Sequence, residues 1–227
     1  KRLKSQWWPC STHFETASTP RFDPDMELQE LQVEALLRNL GEKQPVPGGG
    51  AAASVTAALG LAAGRMVLAY SLGRPEFAAH ETNNQAAIQE LEAWRDEAMA
   101  LADADATAFQ ALAALWKLPK DHPTRIADWH ASVIAAIDAP LAICRVCRQA
   151  CELLAKLPDR TNPMLASDLA VASILLQAAC AAAAWNVRIN LPSLDCDQER
   201  ARLAGEADEN VERCRELTGH IETSCDS

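Results

Sequence analysis

A carboxylate that moves protons near neutral pH needs apolar surroundings, and the spacing around Asp105 supplies them. On an α-helix its neighbours at i±3, i±4 and i+7 are Leu101, Ala102, Ala108, Phe109 and Leu112. All are apolar, so the carboxylate points toward the core side. Burial disfavours the charged form and raises the pKa into the range of a general acid or base, unless a partner compensates. Asp103 faces elsewhere, among Asp96, Met99, Ala100, Thr107 and Gln110, a mixed and peripheral set. Asp168 resembles Asp105 in having Met164, Leu165, Val171, Ala172 and Leu175 at helical spacing. It is read either as a ligand-positioning group on an apolar stripe or as a cap near the Pro163 helix start.

The second chemical feature is Pro47-Gly48-Gly49-Gly50-Ala51-Ala52-Ala53-Ser54, a glycine turn entering an alanine-rich helix. Gly48, Gly49 and Gly50 let backbone N–H groups approach a ligand, and the positive end of the helix dipole points to the same place. Asn186 and Asn190 stand at i and i+4 on one face, an amide pair with matched donors and acceptors. Arg188, between them, points away and can close an ion pair with an acidic helix. Cys144, Cys147 and Cys151 fall at i, i+3 and i+7 with no histidine at ligand spacing. They read as small apolar residues rather than a metal site. His80, His122 and His130 are scattered and read as structural or surface groups.

The elements that must position these groups are helices. Helical patterns run over residues 27–42, 50–72, 75–116, 125–156, 163–190 and 198–223, separated by Pro- or Gly-containing breaks, and no stretch reads as a strand. Pro140 is expected to kink or split the fourth. The 227 residues, 49% hydrophobic with one Tyr and four Phe, predict an all-α, single-domain bundle of five to six helices with an alanine-rich core. Residues 1–25 lack periodicity and read as an extension, a tail or a processed targeting segment outside the fold, leaving 26–227 as the helical domain.

Net charge excludes some partners. At −10 the chain offers no nucleic-acid surface, and an anionic substrate must be held by a local cluster. Eight cysteines in a chain this long and helical, without an apolar signal segment, read as reduced thiols. The apolar segments 51–72 and 164–187 owe their hydropathy to alanine and carry Arg65, or Asp168 and Gln177, so they are expected to be buried helices rather than membrane spans. Gly60-Leu-Ala-Ala-Gly64 is a GxxxG spacing that lets two helices cross closely, within a chain or between chains.

Several of these segments occur together and in one order: Pro47 to Ala53, Asp103-Ala-Asp105-Ala-Thr-Ala-Phe109, Leu118-Pro119-Lys120, Ser167-Asp168-Leu-Ala-Val-Ala, and Asn186-Val-Arg188-Ile-Asn190-Leu. In this the chain, over roughly residues 28–197, resembles the cyclodeaminase/cyclohydrolase family of folate enzymes. The stretch from Asp138 to Arg148 is most similar to the stand-alone bacterial methenyltetrahydrofolate cyclohydrolases.

The resemblance implies hydrolysis of 5,10-methenyltetrahydrofolate to 10-formyltetrahydrofolate, with Asp105 catalytic. Gly48, Gly49, Gly50, Asp168, Asn186, Arg188, Asn190, Arg74 and Lys120 are the implied substrate contacts: Asn186 and Asn190 for a pterin edge, the cations for the glutamate tail. It further implies a cytoplasmic homodimer that needs no metal and no cofactor beyond the tetrahydrofolate substrate. Pro75 interrupts the basic run expected after Arg74, and Ala51 stands where many members have Ser, although Ser54 and backbone donors remain. Formiminotetrahydrofolate cyclodeaminase is the alternative reaction. A non-catalytic helical interaction protein is the alternative of a different class.

Overall fold

Six α-helices and no strand make up the described residues, 33–226 of a computed structural model: α1 Val33–Gly41, α2 Gly49–Ala69, α3 Glu81–Trp116, α4 Pro123–Leu154, α5 Ala166–Asn190 and α6 Asp197–Cys225. Short 3-10 turns over Pro75–His80, Pro163–Leu165 and Leu191–Ser193 join them, each with proline in its first turn, where the missing N–H costs nothing. The expected extension, residues 1–25, lies outside the described residues.

Helices α2, α3, α4 and α5 close a ring in which α2 and α4 each pack on both α3 and α5, while α6 lies against α4 and α5. Helix α1 lays Leu36 onto Ala51 and Ala102, bridging α2 and α3. Alanines such as Ala53, Ala57, Ala98, Ala179 and Ala183 bring the backbones close, and Leu61, Leu68, Leu91, Leu112, Leu154 and Leu176 fill the space between them. Each fully buried leucine contributes about 1.5–3 kcal/mol.

The GxxxG pair is used within the chain. A Cβ on Gly60 would stand 2.9 Å from Leu176 Cγ and 3.0 Å from the Ala172 carbonyl oxygen of α5, and one on Gly64 would stand 2.8 Å from Leu154 Cδ2 of α4. One helix thus makes two tight crossings, each at a glycine. Any contact with a second chain must therefore use another face.

Pro140 does not split its helix; α4 runs unbroken from Pro123 to Leu154. The proline has no N–H to offer the carbonyl four residues back, Ala136. That carbonyl accepts instead from Asn190 Nδ2 of α5, at 3.0 Å. The lost backbone bond becomes a tether between helices.

Cys144, Cys147 and Cys151 do share one buried face of α4, and Cys180 and Cys214 are buried as well. Cys144 Sγ meets the Cys180 carbonyl at 3.5 Å, and burial pushes the Cys147 thiol up, so it stays protonated and packs as a small apolar group. Among the described residues no three His, Cys, Asp or Glu side chains are placed to hold a metal ion.

Three segments, α2, α4 and Pro163–Ser193, are long and apolar enough to cross a membrane. In the first two, half or more of the apolar window is buried within the bundle; in the third only a third is. The rest of that face looks outward.

Candidate active site

Asp105 sits in the C-terminal half of α3, with Ala102, Ala108 and Leu112 buried beneath it, as its helical spacing requires. Its carboxylate meets the first turn of α2. A Cβ built on Gly50 would lie 2.0 Å from Asp105 Oδ2 and 2.4 Å from Cγ, so any side chain there would have to displace the carboxylate. The neighbouring Gly49 serves Asn186 in the same way, with its Cβ position 3.1 Å from Asn186 Oδ1. The glycine run is therefore a pair of sockets, one for a carboxylate and one for an amide.

Gly48 is the extended N-cap of α2 (φ −129°, ψ −153°) and gives no side-chain cap. Its carbonyl takes the first helical bond, from Ala52 N at 3.1 Å. The N–H groups of Gly49, Gly50 and Ala51 have no intrahelical acceptor and remain for a ligand.

These groups line a cavity of about 320 Å3, walled by Pro45, Val46 and the three glycines, by Asp105, Phe109 and Trp116 of α3, by Ala136 of α4, and by Asn186, Ile189 and Asn190 of α5. Phe109 and Trp116 meet edge to face, their ring centroids 6.1 Å apart at 77°. They form an apolar wall for a flat ring. Burial pushes the Asp105 carboxyl from 3.8 up to about 6, and no hydrogen-bond or ion partner among the described residues offsets that desolvation. A carboxyl at that pKa exchanges protons readily at neutral pH.

The two asparagines are held by backbone rather than by each other's side chains. Asn186 Nδ2 donates to the Ala182 carbonyl at 3.2 Å, and Asn190 Nδ2 donates to the carbonyls of both Ala136 and Asn186 at 3.0 Å. With Asn190 Nδ2 donating twice and Asn186 Nδ2 once, both Oδ1 atoms remain as acceptors.

The other expected contacts lie elsewhere. Arg188 pairs with Asp208 of α6 at 2.6 Å and stacks 5.2 Å over Trp185, the ion-pair alternative already open in the sequence. Arg74 is exposed beyond the far end of α2, about 30 Å along that helix from Gly49. Lys120 is exposed and does not line the cavity, although it follows Trp116 by four residues. Asp168 lies about 27 Å along α5 from Asn186 and makes no capping bond. Its expected apolar stripe is split: Ala172 is buried and Leu165 packs on the core, but Met164 is 86% and Val171 50% exposed, a correction to its placement wholly toward the core. Ser54 is fully buried one turn below Gly50 with no partner for its Oγ, and it does not reach the cavity wall.

Sequence reasoning missed Trp116 and Ile189. Trp116 stands seven residues after Phe109, two helical turns, and that spacing was the available signal.

The sequence model of the family described as formiminotransferase-cyclodeaminase matches residues 32–209. A methenyltetrahydrofolate cyclohydrolase of Methylorubrum extorquens is 31% identical over 167 residues, 72% of this chain and 80% of that protein. The formimidoyltransferase-cyclodeaminase of Sus scrofa is 31% identical over 188 residues, 81% of this chain but only 35% of that longer protein. The solved structure of formiminotetrahydrofolate cyclodeaminase from Thermotoga maritima superposes with a TM-score of 0.80 at 24% identity, covering 88% of this chain and 98% of that one.

Proposed function

The chain belongs to the formiminotransferase-cyclodeaminase family, and on that footing we propose that it is a methenyltetrahydrofolate cyclohydrolase, converting 5,10-methenyltetrahydrofolate and water to 10-formyltetrahydrofolate. The observation that carries the reading is the meeting of Asp105 with Gly50: a carboxyl at pKa about 6, in a ring-sized apolar cavity, beside the free N–H groups of a helix start. The 31% identity to a methenyltetrahydrofolate cyclohydrolase over 80% of that protein supports hydrolysis as the reaction.

The substrate's bridging carbon is an electrophilic amidinium. Ionised Asp105 takes a proton from a water as its oxygen attacks that carbon, giving a neutral tetrahedral adduct. The protonated Asp105 then delivers this proton to N5 as the carbon–N5 bond breaks. The formyl group remains on N10, and the second water proton leaves for solvent. Ionised Asp105 also stabilises the cationic substrate, and the three N–H groups of α2 stabilise charge developing on oxygen. The substrate's ring lies against Phe109 and Trp116, with the Asn186 and Asn190 Oδ1 atoms accepting from its amino edge. A glutamate tail leaving past Trp116 meets the exposed Lys117, next to it in sequence, and Lys120. We further propose that the enzyme is cytoplasmic and acts as a homodimer.

The test is the loss of methenyltetrahydrofolate absorbance with wild type and Asp105→Asn, each also assayed for ammonia release from formiminotetrahydrofolate. Hydrolysis abolished by the substitution supports the reading. Ammonia release alone moves the assignment to cyclodeaminase. Activity on neither substrate overturns both.

A further inference from the structure

Ser54 is wholly enclosed, and its hydroxyl oxygen has no hydrogen-bond partner among the described residues. A serine or threonine inside a helix usually donates to the carbonyl four residues back. Thr56, Thr107 and Thr223 do so, at 2.7, 2.9 and 2.8 Å. Ser54 does not. An unpaired buried hydroxyl is costly, and this one needs a partner outside its own helix.

The packing of α2 on α3 identifies that partner. Gly50 stands against Asp105, and Gly64 stands against Leu91, whose Cδ1 is 3.6 Å from the glycine's Cβ position. Moving fourteen residues along α2 therefore moves fourteen back along α3, an antiparallel pair that keeps its register. That register sets Ser54 level with Leu101, and its place four residues after Gly50 keeps it on the face turned to α3. Around that level α3 offers Leu101, Ala102 and Ala98, none with a polar side-chain atom. One turn away stands the Asp105 carboxylate.

A turn is about 6 Å of axial separation, and side-chain direction closes much of it. In an α-helix each Cα–Cβ bond leans toward the helix N-terminus. Because α2 and α3 run antiparallel, Ser54 leans toward the level of Asp105 while Asp105 leans toward the level of Ser54. The two side chains converge beside Gly50.

Their needs are complementary. Asp105 is desolvated with no donor, and Ser54 has a donor with no acceptor. Rotation about χ1 of Ser54 alone swings the hydroxyl between staggered positions. Among the described residues lining the cavity, Asp105 is the only ionisable side chain. Charged groups near its walls are engaged or turned away: Arg188 of α5 pairs with Asp208 and Arg38 of α1 with Glu34, while Asp138 of α4 and Lys43 and Glu42 before the glycines are exposed. Asp103 lies on another face of α3, and α2 carries no charge before Arg65, which pairs with Glu92.

We propose that Ser54 is the positioning residue of Asp105: its hydroxyl donates to the ionised carboxylate from the interior side and holds it against Gly50 with one oxygen turned to the cavity. Held so, the carboxylate keeps one orientation through successive proton transfers. The hydroxyl also favours the ionised form, against the desolvation. The catalytic meaning of the contact rests on reading the cavity as the folate site; the contact itself does not.

Two readouts on Ser54→Ala test this. In hydrolysis of methenyltetrahydrofolate, the acidic limb of kcat/KM is expected to move up by about half a pH unit or more, because the ionised form has lost its donor. In chemical denaturation, which needs no substrate, the substitution is expected to cost more stability at about pH 8 than at about pH 4.5. Without the hydroxyl the folded pKa of Asp105 is higher, so more stability is lost as pH rises through it. In an Asp105→Asn background the same substitution is expected to have one effect at both pH values. A variant at least as stable as wild type at both would show a hydroxyl bonded to nothing. An equal loss at both, with an unmoved limb, would show one bonded elsewhere. Either result overturns the proposal. If wild type acts on neither folate while the pH-dependent loss is found, the contact stands and the folate reading falls.

Discussion

The Asp105 carboxylate occupies the volume that a side chain on Gly50 would need, with Oδ2 2.0 Å from the Cβ position. Helix α2 starts in contact with the Asp105 carboxylate of α3, and its free N–H groups and that carboxylate share one small space. The fit leaves no slack. Gly50→Ala is expected to keep the helical fold and to lower kcat/KM by about 100-fold or more, since a displacement near 1 Å of a catalytic group costs that much. Gly49→Ala, with its nearest atom at 3.1 Å, is expected to cost much less. Steady-state hydrolysis of methenyltetrahydrofolate by the two variants checks the order.

Asp105 is itself a stability cost at neutral pH. Its folded pKa lies above the unfolded value, so its favourable contribution is complete below about pH 4 and is lost as pH rises through about 6. The difference between 3.8 and about 6 corresponds to at most about 3 kcal/mol. Asp105→Asn is therefore expected to be inactive yet more heat-stable at pH 7.5, with the gain shrinking toward pH 4.5. Melting curves of both proteins across that range would contradict the assignment if the substitution destabilised at neutral pH.

Hydrolysis follows the same titration. With ionised Asp105 as the base, kcat/KM is expected to fall tenfold per pH unit below about 6. A profile flat down to pH 5 would remove Asp105 from that role.

Asn190 and Pro140 act on one carbonyl, that of Ala136. Asn190→Ala leaves it unpaired in the protein interior and is expected to cost about 1–3 kcal/mol. In a Pro140→Ala background the restored N–H can bond to Ala136, so the same substitution should cost less there. Chemical denaturation of the four proteins gives the coupling, and additive effects would disprove it.

Trp116 closes the aromatic wall of the cavity while remaining 46% exposed. Trp116→Ala is expected to raise KM with a smaller change in kcat, because it removes binding shared by substrate and transition state. Equal loss in kcat alone would place the indole closer to the reaction.

Local patterns in the sequence were enough to place the helices and the buried Asp105 carboxylate. Period 3.6, proline and glycine breaks and alanine content are local properties, so four of the six expected helices match to within about three residues, the expected helix 75–116 opens with a 3-10 turn and becomes α-helical at Glu81, and the first ends within one residue where it is described. The apolar ring around Asp105 is also local, since its neighbours lie one or two turns away on its own helix. What Gly50 is for was not local: only packing of α2 on α3 shows that its missing Cβ makes room for Asp105. The same holds for Pro140, which periodicity reads as a break and which tertiary structure turns into a tether through Asn190. Asp168 shows the limit most plainly. Helical spacing finds an apolar stripe but cannot say whether it faces the core or the solvent, because that depends on which neighbours cover it. Only the positions of α2, α4 and α6 around α5 decided that Met164, Val171, Trp185 and Ile189 were left uncovered.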